Sequence, residues 1–278
     1  MAQDSASAAG AGVTPGVLAH VPGCERGERP LSIEPLAGGS TDRSVLVRTH
    51  LGEFVVRSTI GRAGAIAVDR HREALLQAIA ARAGLAPNVV WADPAAEALV
   101  TEYAGGREWT PDDMGDARQL ERLGERLRAL HALPSPELVR FDPVATAARY
   151  RAGILEPAAE LDVWVEEIRT IVPLVTSERR AAAIIHGDLH HSNIVEAAAL
   201  VLIDWEYATL ADPLFDLGCV LAYYPGARAH SARFLAAAGL AGSATPAQLL
   251  HACRLYERLT ALWSRAVTAG AGPGESAD

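Results

Sequence analysis

The 278-residue chain has no lysine. All 25 of its basic side chains are arginines, set against 34 acidic ones, for a formal charge of −9. This excludes chemistry that needs a Schiff-base lysine, a Walker-type lysine or a lysine on a phosphate-binding strand. Any phosphate must be held by arginine, backbone amides or a metal ion. Cysteine is scarce: Cys24, Cys219 and Cys253 are far apart and form no C-x-x-C pair. That excludes a disulfide framework or a zinc knuckle and reads as free thiols in a reducing compartment. No apolar run approaches membrane-spanning length, and the N-terminus shows neither a basic nor an apolar signal region, so a cytoplasmic location is expected. The acidic balance argues against nucleic acid or an anionic membrane as partner and leans towards a cationic substrate. Half of the residues are hydrophobic and 21% charged, enough for a sizeable core and too apolar for global disorder.

Texture changes a third of the way along. From Leu31 to Thr59 the runs LSIEPL, SVLVRTH and EFVVRST, punctuated by Gly38-Gly39 and Leu51-Gly52, predict three antiparallel strands. A helix is expected at about 67–83, with Leu75, Leu76 and Ile79 on one side. Val89-Val90-Trp91 and Ala98-Leu99-Val100-Thr101 add two strands, giving a five-stranded sheet with one helix. Beyond Gly105-Gly106 the pattern is helical. Thr110-Pro111-Asp112-Asp113 is a helix start, and Leu120, Leu123, Leu127 and Leu130 make an amphipathic helix over 115–133. Further helices are expected at 144–171, 213–224 and 246–268. Two apolar runs within 183–205 read as a hairpin-like strand pair around a polar loop.

That loop is His186-Gly187-Asp188-Leu189-His190-His191-Ser192-Asn193, and the strand eleven residues on ends in Asp204-Trp205-Glu206. Phosphoryl transfer needs one carboxylate to take the acceptor proton, and an amide oxygen with a second carboxylate to hold magnesium on the phosphates. An Asp and Asn five positions apart, then an Asp on the next hairpin, is the order found in kinase catalytic loops.

These residues resemble the aminoglycoside phosphotransferase and choline kinase superfamily, relatives of protein kinases, over about Leu18 to Trp263. Ile203-Asp204-Trp205-Glu206-Tyr207 followed by Asp212-Pro213-Leu214-Phe215-Asp216-Leu217 is most similar to the bacterial choline and thiamine kinases. The resemblance implies an α+β, protein-kinase-like two-lobed fold: a small antiparallel β-sheet lobe and a larger helical lobe. The expected layout is a disordered leader at 1–12, a nucleotide-binding lobe at 13–103, a catalytic and acceptor-binding lobe at 104–270 and a flexible tail at 271–278. It implies ATP or GTP as donor with Mg2+, Asp188 as catalytic base, and Asn193 and Asp204 as metal ligands. Asp216 would brace the loop, with His186 as scaffold. Gly38, Gly39, Ser40 and Thr41 resemble a phosphate-binding turn in which Asp42 stands where an Asn is usual; alone, Gly-Gly is more often just a hairpin. Arg57 occupies the strand position of the kinase lysine, with Glu73 as partner, against the alternative of a surface arginine. Glu102 and Tyr103 fall at the hinge, whose backbone would hydrogen-bond the adenine.

Other readings stay open. His186, Asp188, His190 and His191 could form a zinc cluster, but His131, His230 and His251 bring no companion motif. Leu130-His131-Ala132-Leu133 reads as core. Glu206, Tyr223, Tyr256 and Trp263 are candidates for the acceptor site, and Trp205, Tyr207, Tyr224 and Glu257 accompany them, although aromatics on helices are often core. The expected activity is transfer of a nucleotide γ-phosphate to a hydroxyl of a small cationic molecule, choline-like first and thiamine second. The alternatives are an aminoglycoside phosphotransferase and a catalytically silent binding module. The chain is expected to act as a monomer or homodimer.

Overall fold

A computed structural model of the chain describes residues 13–36, 42–59, 69–93, 95, 98–178 and 180–270. The described residues fall into two compact units. One draws on 13–36, 42–59, 69–93, 95, 98–107 and 197–206, the other on 108–178, 180–196 and 207–270.

The first unit contains α1 (Pro15–Leu18), β1 (Ser32–Pro35), β2 (Asp42–Thr49), β3 (Gly52–Thr59), α2 (Arg70–Arg82), β4 (Val89–Asp93) and β5 (Ala98–Glu102). The five strands form one antiparallel sheet in the order β1-β2-β3-β5-β4, as the strand pattern predicts. Period-two alternation sends Val45, Val47, Phe54, Val56, Ala98 and Val100 to one face, where Val13, Val17, Val21 and Cys24 cover them. Arg57 is one residue out of that set, opposite Leu99, so it leaves the sheet on the other face. Helix α2 begins at Arg70, capped by the Asp69 carboxylate, which accepts from the Arg72 amide at 3.0 Å. Its buried stripe is Arg70, Glu73, Leu76, Gln77 and Ala80 rather than Leu75, Leu76 and Ile79, because Glu73 turns inward to two arginines.

A two-residue strand, β6 (Arg107–Glu108), marks the boundary. The second unit holds α3 (Pro111–Gly115), α4 (Ala117–His131), α5 (Pro143–Ala152), α6 (Ala159–Val175), β7 (Ala183–Ile185) and β8 (Ile194–Glu196). Strand β9 (Leu200–Leu202) belongs to the first unit, and the second resumes with β10 (Thr209–Ala211), α7 (Leu214–Tyr223), α8 (Ser231–Ala237) and α9 (Pro246–Gly270). Among the described residues no helix is long and apolar enough to cross a membrane.

The amphipathic helix expected over 115–133 is α4, which the Asp116 carboxylate starts afresh after α3 by accepting from the Arg118 and Gln119 amides. Three expectations are corrected. The stretch 144–171 is two helices, α5 and α6, separated by a segment containing Gly153 and Pro157. Strand β7 pairs with β10, Ile185 opposite Thr209, and not with the apolar run at 199–203. That run groups with the first unit, where the Leu202 amide donates to the Leu85 carbonyl at 2.8 Å. The expected lobe at 104–270 is therefore interrupted at 197–206.

Close helix packing positions the functional side chains. A Cβ built on Gly218 of α7 would lie 2.7 Å from the Ala252 backbone of α9, and one on Gly124 of α4 would lie 2.7 Å from the Ala237 Cβ at the end of α8. Gly218→Val should force α7 and α9 apart and cost about 1–3 kcal/mol. Urea denaturation measures this, and an unchanged midpoint would show that the contact is not tight.

Candidate active site

The loop 186–193 is tied to α7 by one buried carboxylate. Asp216 is fully buried; its Oδ2 accepts from the His186 amide at 3.1 Å and its Oδ1 from the Gly187 amide at 2.9 Å. His131 Nε2, at the end of α4, lies 2.9 Å from Oδ2. Sequence reading missed this role for His131, taking Leu130-His131-Ala132-Leu133 as core despite its resemblance to a common phosphotransferase helix ending. Gly187 has φ +82°, and a Cβ there would sit 2.6 Å from the Tyr207 carbonyl oxygen, so glycine is required twice over. Beyond it, the Leu189 amide donates to Cys219 Sγ at 3.0 Å, and burial pushes the Cys219 thiol well up.

These anchors hold Asp188 at a meeting point of side chains. Its Oδ1 accepts from Tyr223 Oη at 3.0 Å and Tyr256 Oη at 2.9 Å. Its Oδ2 lies 3.4 Å from Asn193 Nδ2 and 3.6 Å from His190 Nε2. Asn193 Nδ2 also donates to the Asp188 carbonyl at 2.8 Å, which leaves the Asn193 side-chain oxygen as the atom for a ligand. His186 is fully buried, its Nδ1 3.4 Å from the Asp188 amide. His191 Nδ1 is 2.6 Å from Tyr224 Oη, which also accepts from the His191 amide at 2.9 Å. Among the described residues no group of three or more His, Cys, Asp or Glu could hold a metal ion.

A cavity of about 130 Å³ opens beside Asp188 within the second unit. Half of the residues lining it are aromatic, in a chain that is 5% aromatic, and its one formal charge is Asp188. Tyr223, Tyr256 and Trp263 line it, as does Tyr207, whose ring meets Trp263 edge-on with centroids 6.4 Å apart. Phe141, Tyr150 and Phe215 also line it and were not singled out from the sequence; Phe141 and Tyr150 lie far upstream with no motif around them. Four proposed acceptor residues do not line it. Glu206 is buried in the first unit beside Arg57, Trp205 is a fully buried core residue bonded to the Leu202 carbonyl, and Glu257 pairs with Arg228 on the surface. Tyr224 is engaged with His191. In Leu130-His131-Ala132-Leu133 only Leu130 is buried.

In the first unit, Arg57 is 8% exposed, so it is not a surface arginine. Its guanidinium divides its fork: Nη1 donates to Glu73 Oε1 at 2.8 Å, and Nη2 to Asp204 Oδ1 at 2.7 Å, with Glu206 Oε2 at 3.5 Å. Arg70 shares the Glu73 carboxylate. Asp204 has φ +64° and is the one non-glycine residue in that region among the described residues; Trp205, locked into the core by its indole N–H, fixes the turn. Such an outlier costs on the order of 1–3 kcal/mol and persists only where the surroundings impose it.

Gly38, Gly39, Ser40 and Thr41 lie outside the described residues. The Glu102 amide donates to the Asn88 carbonyl and the Tyr103 amide to the Glu53 carbonyl, both at 2.9 Å. The expected hinge contact to adenine therefore cannot use those two N–H groups, because the sheet already does.

A profile of the phosphotransferase enzyme family matches residues 32–258. The chain belongs to that family. Its structure resembles choline kinase LicA from Streptococcus pneumoniae, with TM-score 0.75 and 20% identity over 90% of this chain and 89% of that one. LicA has also been solved in complex with AMP. A choline/ethanolamine kinase family protein from Mesorhizobium loti matches with TM-score 0.72 and 25% identity over 99% of this chain and 90% of that one. An aminoglycoside-3'-phosphotransferase of type VIII matches with TM-score 0.60 and 24% identity over 82% of this chain and 93% of that one. The protein is thus a phosphotransferase with the α+β fold of these kinases.

Burial, and then the charge of Asp188, push the Tyr223 hydroxyl well above the usual tyrosine range, and burial does the same to Tyr256. Unfolded tyrosines ionise near pH 10. The folded protein disfavours both phenolates, so these groups contribute stability below about pH 10 that is lost as pH rises beyond it. Spectrophotometric titration should leave at least two of the six tyrosines un-ionised at pH 11 until the protein unfolds, whereas full titration of all six in the native state would contradict the burial.

Proposed function

We propose that this phosphotransferase transfers the γ-phosphate of ATP or GTP to the hydroxyl of a small, singly cationic alcohol, with choline-like amino alcohols first and thiamine second. The observation that carries this reading is the cavity beside Asp188: aromatic on many sides, with one carboxylate as its sole charge. Ring faces and a single anion suit a quaternary ammonium group, which cannot donate a hydrogen bond and needs none. Aminoglycosides bear several ammonium groups and call for several acids, so they fit this cavity less well. A catalytically silent module is disfavoured because Asp188, Asn193 and Asp204 are all present.

Asp188 accepts the hydrogen of the acceptor hydroxyl and aims its oxygen at the γ-phosphorus. As the new P–O bond forms and the bond to the β-phosphate oxygen breaks, the proton passes to the Asp188 carboxylate. Asp216, His131, Gly187 and Cys219 keep that carboxylate in place. Asn193 and Asp204 fit a hard cation, since each can offer an oxygen ligand, and Mg2+ held there would offset charge on the phosphates. Arg57, oriented by Glu73, supplies the cation that lysine provides elsewhere. Adenine recognition falls to groups other than the amides of Glu102 and Tyr103.

The test is a nucleotide-consumption screen with magnesium against choline, ethanolamine, thiamine and several aminoglycosides. Turnover is expected with choline or a close analogue, and Asp188→Asn should lower kcat by about 10²–10⁴-fold with nucleotide binding retained. Undiminished transfer by that variant would sink the assignment. A second expectation concerns the fork. Arg57→Lys keeps the charge but cannot reach Glu73 and Asp204 in two directions, so the KM for nucleotide should rise; a variant with wild-type KM would reduce Arg57 to a plain charge.

A further inference from the structure

The least expected contact in the second unit is the pair of tyrosine hydroxyls on Asp188. Tyr223 closes the last turn of α7 and Tyr256 lies in the middle of α9, and both reach the same carboxylate oxygen, Oδ1. Each hydroxyl has one proton. Their oxygens are 3.4 Å apart, a much poorer hydrogen bond than either makes to Asp188, so both protons go to Oδ1. A carboxylate oxygen has two lone pairs, and here both are taken. Oδ2 faces the amide of Asn193 and the ring of His190. The raised hydroxyl pKa values of both tyrosines keep them as donors.

The two tyrosines are not equivalent. Tyr223 is 40% exposed, its ring edge-on to His190 at 5.7 Å and to Tyr256 at 5.5 Å. Tyr256 is held on α9, which packs hard against α7 at Ala252 and Gly218, one turn away. Tyr223 is therefore the hydroxyl that can leave.

We propose that Tyr223 and Tyr256 form a hydroxyl lock on Asp188 Oδ1 that denies that oxygen to water until an acceptor hydroxyl displaces Tyr223. The lock deepens the function proposed above and concerns the same site. Without it, water on Oδ1 would be as well placed as the acceptor. Its oxygen would bond to the γ-phosphorus, the bond to the β-phosphate oxygen would break, and its proton would pass to Asp188 and on to solvent, giving nucleoside diphosphate and inorganic phosphate. Removing one tyrosine hydroxyl leaves a free lone pair on Oδ1 and room next to the cavity for a water that can also bond the remaining hydroxyl. An acceptor anchored by its cation among the rings delivers its hydroxyl to Oδ1 at high effective concentration, which free water lacks. Tyr223 and Tyr256 are in this sense positioning residues that act through Asp188.

The test measures hydrolysis of Mg·ATP by the full chain without any acceptor, for wild type, Tyr223→Phe, Tyr256→Phe and each combined with Asp188→Asn. Choline phosphorylation is assayed alongside. Tyr223→Phe should raise acceptor-independent hydrolysis about tenfold, the scale of one hydrogen bond to a charged group, and Tyr256→Phe should raise it as well. The gain should vanish in the Asp188→Asn background. A merely structural tyrosine would leave hydrolysis unchanged or lower it. If wild type phosphorylates choline and neither phenylalanine variant gains Asp188-dependent hydrolysis, the lock is overturned and the acceptor reading stands. If the gain appears while choline, ethanolamine and thiamine are all inert, the lock stands and the acceptor reading falls.

Discussion

The buried carboxylate of Asp216 is the constraint on which the geometry of the 186–193 loop depends. It accepts from two successive backbone amides of the loop and meets a histidine from α4. A fully buried carboxylate is costly unless its lone pairs are filled, and amide donors at the loop are what fill them here. The requirement runs both ways. The carboxylate needs the amides, and the amides can point at it only if Gly187 takes a positive φ and passes close to Tyr207. Asp188 follows immediately, so its direction is set by a bond network that does not include it.

A second consequence lies in helix packing. Gly218 and Ala252 let α7 and α9 approach until their backbones nearly touch, and the tyrosines about one turn further along each helix then converge on one oxygen. Larger residues at the crossing would separate the hydroxyls from Asp188 well before they unfolded the unit. The cavity beside them is a product of the same crossing, since Leu259, Thr260 and Trp263 of α9 line it together with Phe215 of α7.

In the first unit the chain, which has no lysine, buries Arg57 among three carboxylates. The guanidinium answers by dividing its fork between the helix carboxylate of Glu73 and the turn carboxylate of Asp204, with Glu206 nearby. A lysine ammonium is one point of charge and could not tie both in the same geometry. Arg57 therefore joins the helix, the strand and the turn after β9 through one side chain.

The amino-acid sequence by itself determined the five-stranded sheet, because period-two alternation needs no distant partner to be read. The spacing of the residues from His186 to Asn193 and of Asp204 was also legible in it, because the residue types and intervals that phosphoryl transfer would need are local. Tertiary structure alone decided where the strand before the loop pairs, since β7 and the run at 199–203 are equally apolar and only packing assigned the latter to the first unit. It alone placed Glu206 beside Arg57 and outside the lining of the cavity, and showed that the sheet uses the Glu102 and Tyr103 amides. Phe141 and Tyr150 were illegible for the same reason. Their neighbours at the site lie tens of residues away in the chain, and no local pattern carries information about a contact that folding creates.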